Sequence, residues 1–129
     1  MVGIDIIQIE RVEKLLEKHE NLDRLFTKAE QEYFFSKPSI INGENKRNTK
    51  GASAAGMFAA KEAVMKAFGL GLGMGLDAKD IEIFHSETGA PVVVITQKIA
   101  KFLEKNNAKT IHISISHDYP FAVAVAEIN

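Results

Sequence analysis

The stretch Ser53–Gly69, SAAGMFAAKEAVMKAFG, decides how the rest of the chain must fold. Alanine dominates it and no proline interrupts it, so it predicts a helix from Ser53 to Phe68 with Ser53 as its N-cap. Gly69 is the kind of residue that commonly ends a helix. The side chains of this segment are mostly small or apolar, and a buried helix of this length requires other elements around it.

Strand patterns lie at both ends of the chain and after the central helix. The isoleucines of Val2–Ile9 occupy both alternating faces, which predicts a strand inside a sheet. A turn at Thr88-Gly89 separates two further strands, and the last quarter of the chain contains another pair. These four strands are predicted at Asp80–His85, Pro91–Ile95, Thr110–His117 and Phe121–Ile128.

Shorter helices complete the predicted domain. Glu10–His19 has apolar residues at helical spacing, and Thr27–Glu30 (TKAE) is a capping-box pattern that opens a helix ending at Phe35. Thr96–Asn106 is amphipathic. Ser36–Ala52 is rich in asparagine, lysine and glycine and predicts a mobile loop. The predicted fold class is therefore α+β, with a long central helix packed on a mostly antiparallel sheet that includes both ends of the chain.

Composition limits the class of protein. A chain of 129 residues and 14.2 kDa fits a single domain over residues 1–129, and a net charge of -1 argues against a globally basic nucleic-acid binder. The absence of cysteine excludes disulfides, thiolate zinc sites and cysteine nucleophiles. No membrane-spanning run and no signal-peptide pattern is present, so we expect a cytoplasmic protein. Residues 36–66 nevertheless carry six basic and two acidic side chains, a local charge of +4.

Asp5 is an unusual residue because it interrupts an apolar strand. A buried carboxylate costs several kcal/mol unless it is paired, protonated or bound to a metal. From the sequence, three interpretations stay open: an ion pair with Arg11 or Lys66, a strand end in water, or a metal ligand.

Glu62 and Lys66 stand four residues apart on the central helix, on the same face as Phe58. Such a pair is most often a solvated salt bridge, but here the helix is otherwise apolar and leads directly into glycines 69, 71, 73 and 75. Magnesium needs only one or two protein carboxylates when substrate phosphates complete its shell. Asp5 and Glu62 would suffice if the fold brings them together, with Lys66 neutralising a phosphate. The glycines could let backbone N–H groups approach phosphate oxygens. Alternatively, they are a plain helix-to-strand connection.

The last strands contain a second set of reactive side chains. Ser114, Ser116, His117 and Asp118 allow a serine hydrolase to be considered. No nucleophile-elbow motif surrounds either serine, and adjacency in sequence is not the geometry of a triad. We rank this hypothesis last.

Four segments together carry a resemblance that covers essentially the whole chain. They are GIDI at 3–6, FAAKEA at 58–63, KAFG at 66–69 and ISISH at 113–117. In order, spacing and total length they resemble the short, trimeric holo-[acyl-carrier-protein] synthase branch of the 4'-phosphopantetheinyl transferase family.

The resemblance implies a magnesium-dependent enzyme of fatty acid biosynthesis. Such an enzyme transfers the 4'-phosphopantetheine arm of coenzyme A to a serine of apo acyl carrier protein and releases adenosine 3',5'-bisphosphate. By motif match, Asp5, Glu62 and Lys66 are the catalytic residues, Asp5 and Glu62 bind the metal, and Lys66 pairs with the pyrophosphate. Either a metal-bound water or a carboxylate accepts the serine proton.

The same resemblance implies two sets of contacts, in a homotrimer whose sites lie between subunits. Coenzyme A contacts are implied at Phe58, Lys66, Gly69, Leu72, Gly89 and His117, with Lys46, Arg47 and Lys50 near its 3'-phosphate by weaker analogy. Acyl carrier protein contacts are implied at Arg11, Lys14, Leu15, Lys18 and Arg24.

Two features depart from the family pattern. Met57 stands where relatives usually carry arginine, and the first helix also contains Glu10, Glu13, Glu17 and Glu20. These departures motivate a second hypothesis from another class, a binding module that keeps the fold without turnover.

Overall fold

The structure, a computed structural model, describes residues 1–37, 40–42, 45–47, 49–70 and 74–129, and only the backbone within residues 40–49. Most of its strands come in consecutive pairs that helices separate. The elements are β1 (Val2–Gln8), α1 (Ile9–Leu16), α2 (His19–Leu25), α3 (Lys28–Phe35), β2 (Ile40–Asn42), β3 (Asn45–Arg47), α4 (Thr49–Ala67), a 3₁₀ turn (Ala78–Asp80), β4 (Ile83–His85), β5 (Pro91–Val93), α5 (Gln97–Lys105), β6 (Ile111–Asp118) and β7 (Phe121–Ile128).

The main sheet has three antiparallel strands in the order β1-β7-β6, and α4 packs against one of its faces. The α+β class, the long central helix and the sheet built from both chain ends are thereby confirmed. The interior position predicted for β1 is wrong, because among the described strands β1 pairs only with β7 and forms an edge. Its residues Gly3 and Ile7 are buried towards α4, whereas Ile4 and Ile6 on the opposite face are 61% and 64% exposed.

Small residues allow β1 and α4 to lie in very close contact. A Cβ atom added at Gly3 would overlap the carbonyl oxygen of Ala63 and lie 2.6 Å from the amide nitrogen of Ala67. Ala59, Ala60 and Ala63 of α4 are all fully buried in the core. The crossing therefore depends on the absence of side-chain bulk on both elements.

The ends of α4 differ in how well the sequence predicted them. Gly69 has a φ of +74°, and the amides of Gly69 and Leu70 donate to the carbonyls of Lys66 and Met65, both at 2.9 Å. This is a Schellman motif, and the predicted C-terminus is confirmed. The predicted start is wrong: the helix begins at Thr49, and Ser53 lies inside it rather than capping it.

The first predicted helix is two helices. α1 ends at Leu16, and Lys18 is an extended residue that precedes α2. The break redirects the chain so that Leu22 and Phe26, respectively 4% and 1% exposed, reach the core. Lys18 consequently lies outside α1, the helix that carries Arg11 and Lys14.

Local signals elsewhere predicted structure well. Thr27 and Glu30 form the expected capping box, and the Thr96 hydroxyl accepts the Ile99 amide at 3.2 Å at the start of α5. β4 and β5 pair as a separate hairpin. Within the predicted 36–52 loop, the described backbone instead contains the β2–β3 hairpin and the first turn of α4.

Candidate active site

The contact between β1 and α4 brings together Asp5 and Lys66. The Lys66 Nζ donates to Asp5 Oδ1 at 2.9 Å and to the Ile4 carbonyl at 3.1 Å. The Asp5 side chain is 16% exposed and that of Lys66 is 54% exposed. Of the partners considered for Asp5, the structure thus selects Lys66, and it leaves the lysine accessible to a ligand.

Glu62 belongs to the same cluster, one helical turn before Lys66. Its partial burial, and then the nearby charge of Asp5, raise the pKa of Glu62 above its ordinary value, while Lys66 opposes the shift. Two carboxylates and an ammonium group therefore influence one another electrostatically where β1 crosses α4. The like charges of Asp5 and Glu62 leave this cluster suited to a cation.

A cleft of about 860 Å³ lies beside this cluster. From α4 it is lined by Phe58, Glu62, Met65 and Lys66, and from the following chain by residues 76–80. Arg24 at the end of α2 also reaches it. The predicted association of Phe58 with the Glu62/Lys66 pair on one face is consistent with this arrangement, and the volume is that of a small-molecule site.

The remaining predicted coenzyme A residues lie elsewhere in the chain. Gly89, with a φ of +84°, and His117 line a second recess of about 300 Å³, together with Tyr33, Lys37 and His85. Within one chain the structure does not bring Gly89 and His117 into the larger cleft. Sequence reasoning did not predict Tyr33, Lys37 or His85 as site residues.

A stack of side chains forms one wall of the second recess. The rings of Tyr33 and His85 are parallel, 3.8 Å apart, and the Lys37 Nζ lies 4.4 Å from the Tyr33 ring centre. Burial, and secondly the charge of Lys37, lower the pKa of His85. The wall therefore presents one cation, from Lys37, beside a neutral imidazole at pH 7.

Some predicted positions have little or no side-chain description. Leu72 lies outside the described residues, and the Lys46 and Arg47 backbone forms β3 without described side chains. Gly69 ends α4 next to Leu70, which lines the cleft. Lys50 lies in the first turn of α4.

The predicted carrier-protein residues lie on α1 and α2 and in the break between them. Arg11, Lys14 and Lys18 are exposed, and Leu15 is half-buried. Lys14 is 3.5 Å from Glu10, an exposed pair of little energetic value. Only Arg24 of this set also lines the cleft.

Two sequence observations acquire a structural explanation. Met57 is 1% exposed and contributes to the core, so the residue at this position is used for packing in this chain.

Ser114 and Ser116 lie on the face of β6 opposite to Ile115 and His117, because side chains alternate along a strand. A triad built on these serines and His117 is therefore excluded by geometry.

Sequence reasoning missed the fully buried ion pair between Lys61 and Glu30. The two charged atoms are 2.8 Å apart, and neither side chain is exposed. Burial lowers the pKa of Lys61, and the charge of Glu30 opposes that shift. A lysine within an apolar helix, together with the glutamate of a capping box, was the available signal.

Two carboxylates and a lysine beside a small-molecule cleft fit an enzyme that acts on phosphate-linked groups. Residues 1–124 match the family described as the 4'-phosphopantetheinyl transferase superfamily. The chain belongs to this family, and the family, fold and enzyme class predicted from the sequence are confirmed.

Several similar proteins are named holo-[acyl-carrier-protein] synthase. The chain is 41% identical to a holo-[acyl-carrier-protein] synthase of Clostridium perfringens, with 95% of this chain and 88% of that protein aligned. It is 33% identical to the crystal structure of the Helicobacter pylori holo-[acyl-carrier-protein] synthase in complex with coenzyme A, with a TM-score of 0.81 and full coverage of both chains. The crystal structure of a Bacillus anthracis holo-(acyl-carrier-protein) synthase in complex with CoA (3',5'-ADP) is 31% identical to this chain, with a TM-score of 0.74. The comparison covers 98% of this chain and 93% of that one.

Proposed function

We propose that this protein transfers the 4'-phosphopantetheine arm of coenzyme A to a serine of an apo acyl carrier protein. The observation that carries the proposal is the convergence of Asp5, Glu62 and Lys66, the last two of which line a cleft of about 860 Å³. Relatives that are named for this activity, some solved with coenzyme A, support it. The reaction releases adenosine 3',5'-bisphosphate, and fatty acid biosynthesis is the process that we predict it serves.

The carboxylates fit a magnesium ion. Magnesium prefers oxygen ligands and needs only one or two carboxylates when phosphates supply the others. Within the described ranges, His, Asp and Glu side chains nowhere form a group of three or more that could hold a metal without such help. We propose Asp5 and Glu62 as the protein ligands, and when bound there the ion supplies positive charge for a pyrophosphate.

The side chains of the site have separate roles in the transfer reaction. The serine hydroxyl oxygen of the carrier attacks the β-phosphorus, and the bond from that phosphorus to the bridging oxygen of the pyrophosphate breaks. The Lys66 ammonium group offsets the negative charge on the leaving bisphosphate. Either a metal-bound water or one of the two carboxylates would accept the serine proton.

A trimer explains why the predicted coenzyme A residues occupy two separate recesses. The outer face of the main sheet exposes Val2, Ile4 and Ile6 of β1 and Phe121 and Val125 of β7. A contiguous apolar face of this kind favours burial against a further copy. In the proposed homotrimer, the cleft of one subunit adjoins the recess with Gly89 and His117 of the next.

The carrier protein is proposed to dock on α1 and α2. Arg11, Lys14, Lys18 and Arg24 supply basic side chains and Leu15 an apolar contact. Arg24 connects this surface to the cleft that it lines. The serine of a docked carrier would thus approach Lys66 from the α2 side.

Other expectations stay predictions. A single domain over residues 1–129 and a cytoplasmic location follow from the sequence alone. Among the described residues, no helix combines the length and apolar character that a bilayer crossing requires.

Intact-mass spectrometry tests the proposed function. Coenzyme A, apo carrier protein and the enzyme are expected to yield a carrier heavier by one phosphopantetheine, with magnesium present and not with a chelator. Binding of coenzyme A without this product under any metal condition would favour the binding-module hypothesis instead.

A further inference from the structure

Lys61 is a charged residue that no water reaches. Its Nζ donates three hydrogen bonds, each of 2.8 Å, to Glu30 Oε1 and to the carbonyls of Ala78 and Ile81. An ammonium group has three donors, so all are used. The side chain therefore joins α4 to the segment around the 3₁₀ turn by two carbonyl contacts and to α3 by an ion pair.

Glu30 is equally well satisfied. Its Oε1 also accepts the Thr27 amide at 2.8 Å, and its Oε2 accepts the Ile83 amide at 2.9 Å. The Lys61–Glu30 pair thus contacts α4, the start of α3, the 3₁₀ turn and β4. A buried pair with every donor matched holds these elements in one fixed arrangement.

The segment held by Lys61 is one side of the substrate cleft. Residues 76–80 line the cleft, and Ala78 is both a lining residue and an acceptor of Lys61. On α4, Lys61 immediately precedes Glu62, which lines the same cleft. The spacing between Glu62 and the 76–80 segment is consequently set by hydrogen bonds that lie behind the cleft.

We propose that the Lys61–Glu30 pair positions the 76–80 wall of the cleft for binding of the coenzyme A arm, a role that rests on the proposed function. Both are positioning residues, since neither is exposed to a ligand. A methionine at position 61 would fill a similar volume but could not donate to the Ala78 and Ile81 carbonyls. The wall would then lose its attachment to α4 while the catalytic side chains keep theirs.

The test uses the full-length enzyme and the double variant E30Q/K61M, which leaves no unpaired buried charge. We expect the KM for coenzyme A to rise about 10- to 100-fold, because a displacement of roughly 1 Å in a site has effects of that order. The kcat at saturation is expected to change less than about threefold, since uniform binding is lost and the reacting groups stay in place.

Two comparisons separate positioning from general destabilisation. Ile128→Ala removes buried volume at the end of β7 and so lowers stability at a distance from the pair. Under conditions where its loss of stability equals that of E30Q/K61M, it should leave the KM for coenzyme A unchanged. Glu30→Gln keeps Lys61, its carbonyl contacts and a side-chain oxygen that can accept from it, so it should give a smaller rise in KM. It also costs stability, because the buried ammonium group loses its carboxylate partner, and it supplies a second, independent variant for the same role.

Hydrogen exchange supplies a readout that does not require turnover. In E30Q/K61M or Glu30→Gln, the amides of residues 78–83 should exchange faster than in the wild type, and coenzyme A should protect them less. A wild-type enzyme that gives no modified carrier would refute the proposed function and leave this exchange comparison to decide the positioning role. Variants that fold and retain the wild-type KM, or lose kcat at constant KM, would overturn the inference.

Discussion

Substituting Gly3 by alanine should damage both catalysis and stability. The added Cβ would overlap the Ala63 carbonyl oxygen and lie 2.6 Å from the Ala67 amide nitrogen. Both are backbone atoms of α4 and cannot rotate away, so β1 must move outward. Asp5 lies two residues along β1 and is 2.9 Å from Lys66. A shift of roughly 1 Å would separate that pair and cost about 100-fold in kcat/KM.

The stability change should be of similar size in free energy, because a 100-fold loss in kcat/KM corresponds to about 2.7 kcal/mol. Overpacking of a core contact costs about 1–3 kcal/mol, which urea unfolding can measure. Gly75→Ala is the matched control, because Gly75 has a φ of +96° and, of the described residues, its added Cβ would meet only Phe102, at 3.7 Å. It should cost about 1–3 kcal/mol through backbone strain and keep the wild-type rate. A Gly3→Ala enzyme with wild-type kcat/KM would refute the dependence of the site on this close contact.

Three further predictions concern charge and assembly. Burial and Asp5 raise the folded-state pKa of Glu62 above 4.5, so without metal the ionisation of Glu62 destabilises the fold. Glu62→Gln should therefore gain stability relative to the wild type as pH rises from 4.5 through the raised pKa. Equal pH profiles of the two proteins in urea unfolding would contradict this. Lys61→Met alone leaves Glu30 unpaired and should cost about 3–5 kcal/mol in unfolding free energy, whereas a loss below about 1 kcal/mol would show that the buried charge is tolerated. Ile6→Lys places a charge on the exposed sheet face, so light scattering should show monomers instead of trimers, and activity should be lost. The control Val92→Lys on the β4–β5 hairpin should stay trimeric and active. A trimeric Ile6→Lys protein would contradict the proposed interface.

Local sequence signals predicted most of the fold because their physical causes are local. The capping box at Thr27, the glycine end of α4 and the alternation in β7 each depend on residues within a few positions. The order of strands in the sheet depends instead on contacts between distant segments of the chain. Apolar residues on both faces of β1 predicted an interior strand, and the structure shows an edge with an exposed outer face, which a single chain leaves uncovered.

The site shows the same division between local and distant causes. Glu62 and Lys66 are four residues apart on one helix, so their shared face was predictable, and Asp5 was noticed as a carboxylate within an apolar strand. The pairing of Lys61 with Glu30 joins residues 31 positions apart and depends on how α3 packs on α4. No spacing rule identifies such a pair, although a lysine among buried alanines is an indication.

The central claim is that Asp5 and Glu62 act with Lys66 on coenzyme A, and a rate measurement on defined variants tests it most directly. Formation of the modified carrier would be followed by intact mass for the wild type, Asp5→Asn, Glu62→Gln and the exposed control Glu104→Gln, with saturating magnesium. The account predicts losses of at least about 100-fold for the two site variants, the order expected when a preorganised electrostatic contact is removed, and a wild-type rate for the control. A wild-type rate in either Asp5→Asn or Glu62→Gln would contradict it.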